Sequence, residues 1–172
     1  MKKLVLTVLL LTLAHAVPAQ KQPRAQWREY VFAEEDGFAI TLPSPPNPHN
    51  DNGDRHIKVY SVRLGTTVFT LRAISRAMDC ETGLAEMWDD ANRTDRREPV
   101  IPGTLKQVSL AGMQGLEYET DLGSGQRSLH RFHCADSRKF YIFNAGYQGK
   151  QRPAEVMRII NSFRLVSPSY KQ

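Results

Sequence analysis

The feature that most constrains the fold is a set of four alternating runs in the closing half, residues 104–110, 116–121, 126–134 and 139–147. Apolar and polar residues alternate along them, the period of a strand with one buried face. The connections, 111–115, 122–125 and 135–138, are too short for a crossover, so neighbouring runs must pair antiparallel. Pro153 then suits the first turn of a helix, where its missing N–H does no harm. Val156, Ile160 and Phe163 recur at helical spacing, and Met157 and Ile159 widen the stripe. This half reads as a meander sealed by a short helix.

The opening half predicts strands at 27–32, 38–42, 56–64 and 67–76. Phe38, Ile40 and Leu42 share one face, and Lys58, Tyr60, Val62 and Leu64 form the better core face of the third run. Glu34-Glu35-Asp36-Gly37 reads as a turn with a charged lip. Residues 43–55 hold four prolines and three asparagines. That stretch reads as the longest loop, barred from helix and from a central strand. Leu84, Met87, Trp88 and Ala91 then fall on one helical stripe, with Glu86, Asp89, Asp90, Arg93 and Asp95 outside it. Trp88 and Trp27 read as core residues. The order of elements predicts an α+β fold: a central antiparallel sheet flanked by helices, one domain over 27–166 with a tail at 167–172.

The chain begins with Met1-Lys2-Lys3 and an apolar run over 4–13, followed by small residues. This is the pattern of a secretory signal peptide at 1–19, cut after Ala16 or Ala19, with a flexible leader at 20–26. The expected address is the bacterial periplasm or outside, with no membrane span after cleavage. Loss of Lys2 and Lys3 lowers the net charge from +5 to +3, which calls for no nucleic-acid partner. A monomer is expected. In an oxidising compartment Cys80 and Cys134 are expected to pair, two buried thiols being the alternative.

Four segments, in order, resemble exported bacterial PsbP-like domains: Phe38-Ala39-Ile40-Thr41-Leu42-Pro43-Ser44-Pro45-Pro46, Gly112-Met113-Gln114-Gly115, Lys139-Phe140-Tyr141-Ile142 and Ser162-Phe163-Arg164-Leu165. The resemblance spans Trp27 to Val166. It implies an α-β-α sandwich around an antiparallel sheet, a fold shared with the PsbP subunit of the oxygen-evolving complex and with a Ran-binding nuclear import factor. It also implies assembly with other proteins, and it supplies no catalytic motif. Cys80 and Cys134 lie outside its pattern.

Candidate chemistry is sparse. His130 and His133 sit three apart in a strand, hence on opposite faces, which argues against a shared metal. His49 and His56 flank the proline stretch beside Asp51 and Asp54; a metal carrier would need the two histidines to converge with Asp51 or Asp54. Gly123-Ser124-Gly125 reads as a hairpin tip and not as a nucleophile elbow. Asp89-Asp90 reads as a solvated helix face, and no phosphate loop or dinucleotide fingerprint occurs. The expectation is therefore no catalytic set, no metal site and no cofactor. The chain would be an exported domain that binds an envelope protein or a small ligand. Arg93, Arg96, Arg97, His49 and His56 would be its partner surface. The alternative is a small hydrolase with a pocket formed by 43–55 and His56.

Overall fold

The computed structural model describes residues 26–32, 36–75, 79–136 and 139–166. The signal-peptide and tail assignments, most of the leader, and Glu34-Glu35 lie outside these residues. Among the described residues ten strands and two helices follow in the order β1 (Arg28–Phe32), β2 (Phe38–Leu42), β3 (Asn47–Asp51), β4 (Asp54–Leu64), β5 (Thr67–Ser75), α1 (Cys80–Asn92), β6 (Lys106–Leu110), β7 (Met113–Gly123), β8 (Gln126–Asp136), β9 (Lys139–Gln148), α2 (Ala154–Asn161) and β10 (Arg164–Leu165). They form two antiparallel sheets, one ordered β3-β4-β5-β9-β8-β7-β6 and one ordered β1-β2-β10.

The large sheet is two meanders, β3–β5 and β6–β9, joined where β5 pairs with β9. Its inner face carries Tyr60, Val62, Phe69, Leu71, Leu129, Tyr141 and Phe143. Phe38, Ile40 and Leu42 of β2 and Val156, Ile159, Ile160 and Phe163 at the end of the chain cover that face. The expected α+β fold, a central sheet flanked by helices, and the α-β-α sandwich are therefore both corrected. The chain is mostly strand, and the layer on the inner face is a second sheet accompanied by one short helix. Periodicity identified β2 as a strand, but Pro43, Pro45 and Pro46 follow it, and a chain lacking those N–H donors cannot simply return as the next rung of the same ladder. The chain instead crosses to the large sheet as β3 and leaves β2 beside β1 in the small one, where four of its five residues are buried.

The proline stretch is also corrected. It contains β3, an edge strand with Pro48 opposite Tyr60 and a register shift between Asn50 and Asp51. Proline is tolerated where no further strand needs its donor.

The terminal seal works through three residues. The Ser162 hydroxyl donates to the Ile159 carbonyl at 2.7 Å and accepts from the Thr41 amide at 2.9 Å, fixing the end of α2 to β2. The Phe163 ring packs at 4.9 Å from Tyr141 and 5.2 Å from Phe143. Arg164 binds Glu29 of β1 through two nitrogens at 2.9 and 3.1 Å.

On the outer face α1 carries the chain from central β5 to the far edge strand β6, packing on β7 and β8. Asp79 caps it, accepting from the Thr82 amide at 2.8 Å. Its footing is small: Leu84 and Met87 are half-buried against Phe132, Phe140 and Cys134, and of its residues only Gly83 and Ala91 are buried. The Cys80–Cys134 disulfide ties its first turn to β8, with Cα atoms 5.6 Å apart. Closing a loop of 54 residues restricts the unfolded chain by about 4 kcal/mol. Reduction is expected to lower the thermal midpoint by well over 5 °C; equal melting with and without reductant would remove the disulfide from the account of stability.

Candidate functional site

Arg93, Arg96 and Arg97 line one open hollow of 330 Å³, together with Asp90, Asp95 and Glu98. The charges balance. Arg93 pairs with Asp95 at 2.8 Å, and Arg96 turns inward onto the Asp90 carboxylate and carbonyl and over the Tyr118 ring, 5.5 Å from its centre. Arg97 borders a second shallow hollow with Pro99, Asp121 and Leu122. His49 and His56 are both exposed. His49 stands opposite Val59, while His56 falls by alternation on the face of Lys58, so the strand register separates them. Among the described residues no three His, Cys, Asp or Glu side chains gather as a metal site.

A different surface is concave. Between α1 and the β6–β7 edge lies a cleft of 390 Å³, lined by Leu84, Ala85, Trp88, Asp89, Gln107, Gln114, Gly115 and Leu116. Trp88 forms its outer wall and is 41% exposed, so the expected core role of this residue is corrected. On a helix that turns about 100° per residue, Trp88 sits about 40° beyond Leu84 and on the flank away from Met87. The stripe is therefore narrower than its four apolar letters suggest. Leu116 gives the cleft an apolar floor, and Gln107 and Gln114 place amides at its rim.

The floor depends on what lies beneath it. Gly115 pairs with His133, whose ring lies directly against it on the inner face. The turn belongs to Ala111 and Gly112, at φ 50° and 81°, the left-handed pair of a tight hairpin. The Gly-x-x-Gly segment thus has two jobs: Gly112 turns the chain, and Gly115 makes room. His133 is fully buried and neither ring nitrogen has a hydrogen-bond partner. Burial, aided by the Arg131 charge, pushes its pKa down to about 4. The folded protein therefore holds it neutral while the unfolded chain protonates it near 6.5. Its contribution is complete above pH 6.5 and is lost as pH falls toward 4, about 3 kcal/mol across that window. Denaturant titrations at stepped pH are expected to show this slope in the wild type and a shallower one in His133→Leu; parallel profiles would refute the assignment.

Beside His133 the inner face carries a buried ion network. Glu117, fully buried, accepts from Arg131 at 2.7 Å and Arg152 at 2.8 Å, with Lys106 at 3.2 Å. Glu119 receives Arg152 and, at 3.3 Å, Arg127. Burial raises the Glu117 carboxyl, but Arg131, Arg152 and Lys106 outweigh it and hold the group below the usual carboxylate range. The hairpin register announces one pair of this arrangement, Glu117 opposite Arg131, whereas Arg127 stands opposite Asp121 and reaches diagonally to Glu119.

On the outer face, His130 bonds Asn144 through Nδ1 at 2.9 Å and Thr120 through Nε2 at 3.0 Å, and it stacks on Tyr118 at 4.9 Å. With Nδ1–H donating to the Asn144 carbonyl oxygen, Nε2 accepts from the Thr120 hydroxyl. Burial holds the imidazole pKa below its ordinary value. This is the order of a hydroxyl–imidazole–amide relay, but Thr120 has no exposed surface to offer a substrate. The trio ties β7, β8 and β9 together.

No family model matches the chain, and no curated protein matches it. Among solved structures, a crystal structure from Bacteroides thetaiotaomicron VPI-5482 is similar, with a TM-score of 0.57 and 10% identity over 86% of this chain and 51% of that one. The chain spans about half the length of that protein, and at such identity the likeness concerns the fold alone. Among the described residues no helix is long and apolar enough to cross a membrane.

Proposed function

We propose that the chain is a non-catalytic binding domain of the bacterial cell envelope, and that the Trp88 cleft receives an apolar group of its partner. The observation that carries this reading is the lining of the cleft: an exposed indole, two leucines, an alanine and two glutamines, with Asp89 as the sole ionisable side chain. A lone carboxylate has no nucleophile or base to act with, whereas an aromatic wall over an aliphatic floor suits recognition. The disulfide, the signal-peptide pattern and the resemblance to exported PsbP-like domains agree with an envelope address.

A photoreactive residue at Gln107, in the exported protein, is expected to capture a discrete adduct. The additional change Trp88→Ala should abolish it, and the same probe at Arg63, outside the cleft, should not give it. An adduct indifferent to Trp88, or no adduct in the cell envelope, would overturn the reading.

A further inference from the structure

The large sheet ends in two edge strands that differ in kind. β3 is defended by Pro48 and by the register shift between Asn50 and Asp51, both of which discourage a further strand. β6 has neither: its five residues pair with β7 in unbroken register, and Lys106, Gln107 and Ser109 are exposed. Alternate backbone N–H and C=O groups of β6 face outward, the template that an extended chain completes. This less guarded edge, whose single charge, Lys106, is turned onto Glu117, is also the one beside the Trp88 cleft, because Gln107 of β6 is part of its lining.

From this juxtaposition we infer that the occupant of the cleft is an extended polypeptide segment that joins the sheet as an additional strand on β6. It would set an apolar side chain against Trp88 and Leu116 and a basic one near Asp89. The inference rests on the cleft being the binding site. The spacing fits: a strand added about 4.8 Å outside β6 sends every second side chain to the outer face, at intervals of about 6.8 Å. One such side chain leans over Gln107 toward the indole, and the next runs along α1. Charge selects the second. Cys80–Asn92 carries Glu81, Glu86, Asp89 and Asp90 and no Lys or Arg, on a chain whose net charge is +5. Only Asp90 among these is engaged by Arg96. A second copy of the chain fits less well, since two-fold pairing of β6 strands would bring two acidic helices to one junction.

The test uses the mature oxidised protein with Trp27→Phe, so that Trp88 is the only indole reporter. The probe is a synthetic heptapeptide, Thr-Lys-Thr-Leu-Thr-Lys-Thr, blocked at both ends, whose leucine and lysines share one strand face. Binding is expected to shift Trp88 emission and to slow amide hydrogen exchange within Lys106–Leu110. Methylating alternate backbone nitrogens of the peptide, or replacing its lysines by glutamates, should each weaken binding about tenfold or more. A Trp88 response without protection of β6, or one indifferent to N-methylation, would refute strand addition and leave the cleft reading standing. Silence of both reporters at millimolar peptide would refute both. Protection of β6 that rises with protein concentration alone would give the edge to a second copy and overturn the peptide assignment.

Discussion

Gly115→Ala is expected to destabilise the protein by about 4 kcal/mol or more, and to leave little folded chain at 37 °C. A methyl group there would press on the His133 ring, 2.7 Å from its Cε1 and nearer still to Nδ1, and on the carbonyl oxygen of Phe132. That carbonyl belongs to the neighbouring strand, so it cannot retreat without parting β7 from β8. Gly112→Ala provides the contrast. Its φ of 81° strains an alanine, but the added carbon meets nothing within 4 Å, and a loss of about 1 kcal/mol is expected. Chemical denaturation of the two variants measures the difference. Pairing Gly115→Ala with His133→Ala should recover part of the loss, up to the limit set by Phe132. A Gly115→Ala variant within 1 kcal/mol of the wild type would sink the close-packing account.

Glu117→Gln is expected to cost about 3 to 5 kcal/mol, although its shape hardly changes. The substitution leaves Arg131, Arg152 and Lys106 around a neutral amide, and Glu119 alone cannot compensate them. Because the site is buried, added salt should recover little of the loss. Arg152 immediately precedes Pro153, the N-cap of α2, so the network also holds that helix to the sheet. Loss of hydrogen-exchange protection in α2 ahead of the core strands is the local signature. The wild-type carboxyl, held below its ordinary range, contributes fully above about pH 4.5 and loses its contribution as pH falls through the folded value. Glu117→Gln should flatten the stability profile below that point. A cost under 1 kcal/mol would mean that the ions are a passive decoration of the fold.

These residues also mark how far the sequence is legible. Phe38, Ile40 and Leu42 declare a strand and a face, and β2 occupies the expected positions. They do not declare a layer, because period two reports burial without naming the covering partner. Pro48 argues against a central strand and is silent about an edge, so β3 was hidden inside an apparent loop. Cys80 and Cys134 are expected to pair on the signal-peptide pattern, with two buried thiols as the alternative, and the structure joins them. Trp88 has the spacing of a core residue and is exposed, because helical spacing assigns a sector and the covering strands decide how much of that sector is filled. Gly115 carries no local sign of its role. What it accommodates, His133, is eighteen positions away, and only the hairpin register brings the two together.

The junction of the two meanders has a consequence for the order of folding. β6 to β9 follow one another in sequence with few residues between them, so their pairings are local and quick to form. The β5–β9 ladder is different: it begins at Ser75 and Lys139, and the chain between them must first be drawn into a loop. Cys80 and Cys134 lie just inside those two residues, so an oxidised chain begins folding with that loop already closed. The disulfide therefore acts as a kinetic guide as well as a brace, and refolding should be faster with it intact than after its reduction.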